Sequence, residues 1–170
     1  MLYWAYGSNL NIRQMSRRCP KARMRGPLIV NDAALVFRGV ADVTVREGSQ
    51  VPGGLWLITR DCEEELDRYE GVGSGFYVKR YLRLRINKQV KDCLFYQMRT
   101  REGVQPPSEG YYASIVQGYK DFGLDLAVLD QSLQEAWGNK EITPALYERY
   151  VRKGAPTLAR AEPAPSGEAK

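Results

Sequence analysis

The sequence predicts a protein of the α+β class, and two patterns support this. Strand-like runs follow one another in antiparallel-looking groups, and a few short segments with helical spacing separate or follow them. The 170 residues are 44% hydrophobic and 26% charged, which is typical of one globular domain with a proper core. We expect this domain to cover residues 1–154. Residues 155–170 contain too few apolar side chains to pack and are expected to form a flexible tail.

The first predicted element is a strand at residues 2–6, which runs into a turn of small residues at Gly7. Ser8 or Asn9 is expected to cap a helix, whose apolar side chains recur at helical spacing. Strands are then predicted at residues 28–37 and 40–46. A fourth strand, "GGLWLIT", begins with two glycines that indicate a bend or a close backbone approach.

The period changes at residue 61, where "DCEEELDRYEG" predicts a short amphipathic helix that stops at Gly71. Residues 76–86 then alternate, with Phe76 placed on the apolar face of a strand and Tyr77 on the polar face. Another strand, "DCLFYQM", follows. Ser108 is expected to cap a helix with a stripe of tyrosine and aliphatic residues, and two more short helices are predicted at 126–137 and 144–152.

The absence of histidine excludes Ser–His–Asp and Cys–His nucleophilic sites. A general base in this chain must therefore be a carboxylate, lysine, tyrosine or thiolate. The three cysteines, Cys19, Cys62 and Cys93, are odd in number and far apart, which fits neither a disulfide framework nor a zinc site. They are expected to be buried, and no metal site is predicted.

The chain is expected to be a cytoplasmic protein without a membrane span. No apolar run approaches the roughly 20 residues that such a span needs, and no secretory signal is visible. The net charge of +5 permits nucleic-acid binding, but no nucleic-acid motif accompanies it, so none is predicted. The basic residues between positions 13 and 25 are compatible with attraction of a small anionic substrate.

The segment "YGSN" has two interpretations. It is either an ordinary strand-to-helix turn or an anion cradle, in which successive N–H groups converge on a carboxylate or oxyanion and Gly7 permits close approach. It lacks the lysine and the three-glycine pattern of nucleotide-binding loops.

Glu70 differs from the other acidic residues around the second helix. The others are expected to form a solvated face: Asp61, Glu63, Glu64, Glu65 and Asp67. Glu70 ends the helix, where the negative end of the helix dipole disfavours a carboxylate, and it leads into a loop of small residues. A residue kept at a position where it costs stability is a candidate for function.

Four segments, taken in order and spacing, resemble the gamma-glutamylcyclotransferase family: "YWAYGSNL", "GGLWLIT", "LDRYEGVGSGFY" and "PPSEGYYASIVQGYKDFGL". The resemblance covers roughly residues 2–126. The Asn9-Leu10 ending of the first segment and "EGVGSGFY" look like the branch that acts on gamma-glutamyl amino acids. The resemblance implies a small mixed, barrel-like β-sheet with a few short helices.

The same resemblance implies that Glu70 is the catalytic residue. It also implies a set of substrate-binding residues: Tyr3, Trp4, Ala5, Tyr6, Gly7, Ser8, Tyr77 and Tyr111. The implied reaction needs no cofactor and no metal. The substrate's own α-amine attacks its γ-carbonyl and releases 5-oxoproline, with Glu70 as general acid and base. The implied partner is a small gamma-glutamyl molecule, and the chain is expected to act as a monomer or homodimer.

Two alternatives remain open at this point. One is a binding module of the same fold that recognises a ligand without catalysis, because fold does not determine function. The other is a cyclotransferase that acts on a gamma-glutamyl group attached to a larger carrier.

Overall fold

The computed structural model describes residues 1–100 and 103–138. Its sheet has five strands: β1 Leu2–Ala5, β2 Arg23–Phe37, β3 Ala41–Leu57, β4 Tyr77–Ile86 and β5 Gln89–Met98. A 3₁₀ turn, Ser8–Leu10, and four helices accompany it: α1 Ile12–Arg18, α2 Arg60–Tyr69, α3 Glu109–Asp121 and α4 Ala127–Ala136. The predicted helix at 144–152 and the predicted tail at 155–170 lie outside these described ranges.

The strand order is β2-β3-β1-β5-β4, so the first strand of the chain lies at the centre of the sheet. Tyr3 of β1 is in register with Trp56 of the antiparallel neighbour β3 and with Leu94 of the parallel neighbour β5. The predicted α+β class and mixed sheet are confirmed. The sheet is not closed into a barrel, because closure would need β2 to pair with β4, and each of these pairs only with its hairpin partner in the described residues.

The two strands predicted at 40–46 and 53–59 form one continuous strand, β3. The pairing of β3 with β2 continues through Gly53 and Gly54 without a register shift. The two glycines make room for packing, because a Cβ at Gly53 would overlap Trp4, and a Cβ at Gly54 would overlap Phe122. The expected close approach at these glycines is therefore correct, whereas the division into two strands is wrong.

The cap predicted for α1 is wrong, and those predicted for α2 and α3 are confirmed. Asn11 caps α1 by accepting the N–H of Gln14 at 3.0 Å, because Ser8 and Asn9 are part of the separate 3₁₀ turn. The α2 helix ends where expected, with Glu70 at its C-cap and Gly71 at a φ of 65°. Ser108 caps α3.

At the start of β4, the buried and exposed side chains are the reverse of the prediction. Tyr77 is buried and Phe76 is half exposed. The reason is that the Tyr77 hydroxyl donates a hydrogen bond to the carbonyl oxygen of Ala41 at 2.5 Å, which draws this ring inward. The sequence alternation could not show this contact, since Ala41 lies on another strand.

The core is continuous, and it joins the inner side chains of β1, β3 and β5 to α3 and α4. All three cysteines are buried and free, as predicted. Within the described ranges, every helix is too short or too polar to cross a bilayer.

Candidate active site

A cavity of about 280 Å³ lies where β1 ends, between the 3₁₀ turn and the end of α2. Seven of the nine predicted site residues line it: Tyr3, Tyr6, Gly7, Ser8, Glu70, Tyr77 and Tyr111. Six further residues complete the lining: Asn9, Val40, Ala41, Tyr69, Phe76 and Tyr96. The fold thus brings together residues that are up to about a hundred positions apart in the chain.

Trp4 and Ala5 are not among the lining residues. Both are buried in the core, and the Trp4 indole donates to the carbonyl oxygen of Leu28 at 3.4 Å. Side chains alternate across a strand, so Trp4 points to the opposite face of the sheet from Tyr3. Trp4 therefore packs in the core and binds β2, away from the cavity.

Glu70 reaches the cavity from the C-cap of α2, and its own N–H closes the helix by donating to Leu66 at 2.8 Å. Its Oε1 accepts a hydrogen bond from Asn9 Nδ2 at 2.8 Å. Burial raises the pKa of Glu70 from its usual 4.5 to about 7, against the opposing effects of the Asn9 hydrogen bond and the charge of Arg18. A carboxyl group with this pKa can both take and return a proton near neutral pH.

Asn9 and Arg18 hold Glu70 in place, a role that the sequence pattern does not reveal. Asn9 Nδ2 also donates to the Tyr3 hydroxyl at 2.8 Å, while Asn9 Oδ1 accepts from Arg18. Because the guanidinium can only donate, it fixes which end of the amide faces Glu70. Arg18 in turn donates to Gln14 Oε1 at 2.8 Å. In the sequence, Arg18 is one of the basic residues between positions 13 and 25, and nothing local distinguishes it from the others.

Tyrosine hydroxyls surround the carboxylate, and several are fixed by the backbone. Tyr6 donates to the carbonyl oxygen of Tyr96 and Tyr77 donates to that of Ala41, both at 2.5 Å, while the Tyr111 hydroxyl accepts from Ala41 N at 3.2 Å. Burial raises the pKa of Tyr111 to about 12, and it also raises the pKa values of Tyr6, Tyr77 and Tyr96 well above the ordinary tyrosine value. These phenols therefore stay neutral near pH 7 and act as hydrogen-bonding groups.

Gly7 lines the cavity beside Ala41 and Tyr111. Its φ of −113° is open to any residue, so it is not needed for a left-handed turn. A Cβ at Gly7 would lie 3.2 Å from Ala41 Cβ and 3.3 Å from the Tyr111 hydroxyl, which is tight. The N–H groups of Leu10 and Asn11 close the turn, whereas those of Gly7 and Ser8 meet no protein acceptor in the described part of the chain.

The chain is similar in sequence to known enzymes. A bovine gamma-glutamylcyclotransferase is 33% identical over 140 residues, which cover 74% of this chain and 73% of the relative. The chain belongs to the gamma-glutamylcyclotransferase family. The human gamma-glutamylcyclotransferase is 31% identical over 138 residues, with the same coverage, and the AIG2-like family profile matches residues 50–130.

Solved structures place the fold in the same family. A gamma-glutamyl cyclotransferase structure superposes with a TM-score of 0.67 at 25% identity, covering 91% of this chain and 99% of the other. A human protein described as uncharacterised superposes with a TM-score of 0.65 at 25% identity, covering 88% and 96%. The chain is therefore an enzyme of the gamma-glutamylcyclotransferase type. The roles of its individual residues stay predictions.

Proposed function

We propose that this enzyme releases 5-oxoproline from gamma-glutamyl amino acids or amines, with Glu70 as the general acid and base. The observation that carries the proposal is the state of Glu70. It is the one charged residue among the described residues that line the cavity, and burial brings its pKa to about 7. In a chain without histidine, this is the group best matched to proton transfer near neutral pH.

The substrate supplies its own nucleophile. Its α-amine nitrogen attacks the γ-carbonyl carbon, so one C–N bond forms to close a five-membered ring and the bond to the departing nitrogen breaks. Because both groups belong to one molecule, correct orientation provides much of the rate enhancement. The small cavity, with its fixed tyrosines, is suited to holding one such conformation.

The proton follows a closed path through Glu70. The carboxylate removes one proton from the α-ammonium, which makes the amine nucleophilic, and delivers it to the departing nitrogen. The ring nitrogen loses a second proton as the lactam forms, and this proton passes to the released amine, which leaves as an ammonium. Glu70 ends the cycle ionised, as it began. The hydrogen bond from Asn9 Nδ2 to Oε1 leaves the second carboxylate oxygen available for this transfer.

The turn at Gly7 and Ser8 is proposed to bind an anionic oxygen of the substrate. Its two N–H groups have no protein acceptor in the described residues, and Gly7 allows a close approach. The bound oxygen is either the glutamyl α-carboxylate or the oxyanion that develops on the γ-carbonyl. Donors of this kind contribute most when charge accumulates in the transition state.

A dipeptide-sized substrate fits inside the cavity, whereas a large carrier would have to lie outside its mouth. About 280 Å³ is at the lower limit of ordinary small-molecule sites, which favours a dipeptide-sized ligand. A binding module without catalysis is the remaining alternative. It does not require a carboxyl group whose pKa lies near 7.

The test is a panel of gamma-glutamyl compounds, assayed for 5-oxoproline by chromatography. It contains gamma-glutamyl dipeptides, a gamma-glutamyl amine, glutathione and a gamma-glutamyl-tagged protein. We expect release from the dipeptides or the amine, with multiple turnovers. Release only from the tagged protein supports the carrier alternative, and binding without release supports the binding module.

A further inference from the structure

Two aromatic side chains stand half exposed at the mouth of the cavity. Tyr69 is 51% exposed and Phe76 is 50% exposed, although both line the same space as the buried polar groups around Glu70. Val40 lies on the same lining. We call Val40, Tyr69 and Phe76 the apolar mouth. Large apolar side chains left in water beside a polar cavity are typical of a surface that a ligand covers.

Both rings are held from one side. The guanidinium of Arg18 lies 3.4 Å from the centre of the Tyr69 ring, and Phe76 meets Tyr77 edge to face at 5.2 Å between ring centres. The backbone of Phe76 is fixed as well, because its N–H donates to Gly71 at 3.0 Å. The rings are therefore placed before a ligand arrives, which lowers the entropic cost of binding.

The charge distribution limits what can bind at this mouth. Glu70 is the only charged group among the described lining residues, and it follows Tyr69 directly in the chain. An acidic side chain near the rings would be repelled by Glu70, and the cation nearest to the rings, Arg18, is already engaged by Tyr69, Asn9 and Gln14. A neutral apolar group instead removes the exposed ring surface from water, which is favourable.

We propose that Tyr69 and Phe76 form the subsite for the departing part of the substrate, and that they select large apolar amino acids or amines. This inference rests on the proposed function. Glu70 must reach the departing nitrogen, so the group on that nitrogen extends from Glu70 toward the open side of the cavity. Tyr69 and Phe76 occupy that side, on either side of the loop at residues 71–75.

The experiment compares kcat/KM for gamma-glutamyl-phenylalanine, gamma-glutamyl-leucine, gamma-glutamyl-glycine and gamma-glutamyl-glutamate. We expect the phenylalanine and leucine compounds to exceed the glycine compound by about tenfold or more, and the glutamate compound to be the poorest. The Phe76→Ala variant should reduce the ratio of phenylalanine to glycine compound by about fivefold or more. Phe76→Leu, which keeps an apolar surface, should retain most of that ratio.

Tyr81→Ala is the matched control. Tyr81 is 53% exposed, close to the 51% of Tyr69, but it lies on β4 outside the cavity, so its loss should leave the substrate ratio unchanged. The inference is overturned if the glycine or glutamate compound is the better substrate, or if Phe76→Ala lowers all four values equally. A wild-type protein that releases 5-oxoproline neither from these compounds nor from a gamma-glutamyl amine overturns the proposed function as well.

Discussion

The two ends of helix α2 carry carboxyl groups in opposite states. At its beginning, Asp61 accepts a hydrogen bond from Lys21 at 2.5 Å, and this cation lowers the pKa of the carboxyl group in full contact with water. At its end, Glu70 has an amide as its nearest donor, and burial raises its pKa to about 7. The same type of functional group is therefore ionised at one end and poised for proton transfer at the other.

The difference comes from pairing and from position on the helix. The other carboxylates of α2 have cationic partners: Lys79 for Glu63 and Asp67, Arg60 for Glu64, and Arg68 for Glu65. Glu70 has no direct ion pair among the described residues, and it stands at the negative end of the helix dipole. Arg18 acts on it through Asn9. A carboxylate without a cation of its own is the one placed in the cavity.

The largest expected effect on kcat comes from substituting the carboxyl residues at the two ends of α2. Glu70→Gln keeps the shape and removes the basic group, so kcat should fall roughly 100- to 10,000-fold. Asp61→Asn makes the same chemical change at the other end and should leave kcat within about twofold, since surface pairs contribute little. Steady-state rates of 5-oxoproline release measure both, with circular dichroism to confirm folding. Near-native turnover in Glu70→Gln would show that Glu70 is not the base.

A smaller effect is expected opposite Glu70, at the turn. Gly7→Ala adds a methyl group against Ala41 and the Tyr111 hydroxyl, and the resulting displacement should lower kcat/KM about 10- to 100-fold. Ser8→Ala keeps the backbone N–H and loses only a hydroxyl, so its effect should be smaller. Both are compared at equal thermal stability. If Ser8→Ala is the more damaging variant, the hydroxyl of Ser8 and not the backbone of the turn binds the substrate.

The smallest effect is expected from Arg18, whose positive charge lowers the pKa of Glu70. Arg18→Met should therefore shift the acid limb of the kcat/KM profile, near pH 7, to higher pH by about half a unit to one unit. The tyrosines facing Glu70 have raised pKa values and do not titrate in this range. Arg17→Met removes an equal charge from the exposed neighbouring position and should not move the limb. Equal shifts in both variants would indicate a general charge effect.

The elements that define the cavity could be predicted from local patterns. The position of Glu70 followed from the helix that stops at Gly71, and the turn at Gly7 followed from small residues after a strand. These signals are local, because capping and turn chemistry depend on a few adjacent residues.

Contacts between distant segments could not be predicted. The pairing of Asn9 with Glu70 joins residues 61 positions apart, and the inward turn of Tyr77 depends on Ala41, 36 positions away. The separation of Trp4 from the cavity depends on which face of β1 meets α2. Hydrophobic alternation gives the two faces of a strand but does not say which one borders the site.

An NMR titration of the side-chain carboxyl carbons tests directly whether Glu70 is poised for proton transfer while Asp61 stays ionised. Spectra of the wild-type protein are compared with those of Glu70→Gln and Asp61→Asn to assign the two signals. We expect a midpoint near pH 7 for Glu70 and a midpoint below the ordinary aspartate value for Asp61 in the same sample. A Glu70 midpoint near 4.5 would contradict this expectation, since a carboxyl group of ordinary acidity is not poised to exchange a proton with the substrate.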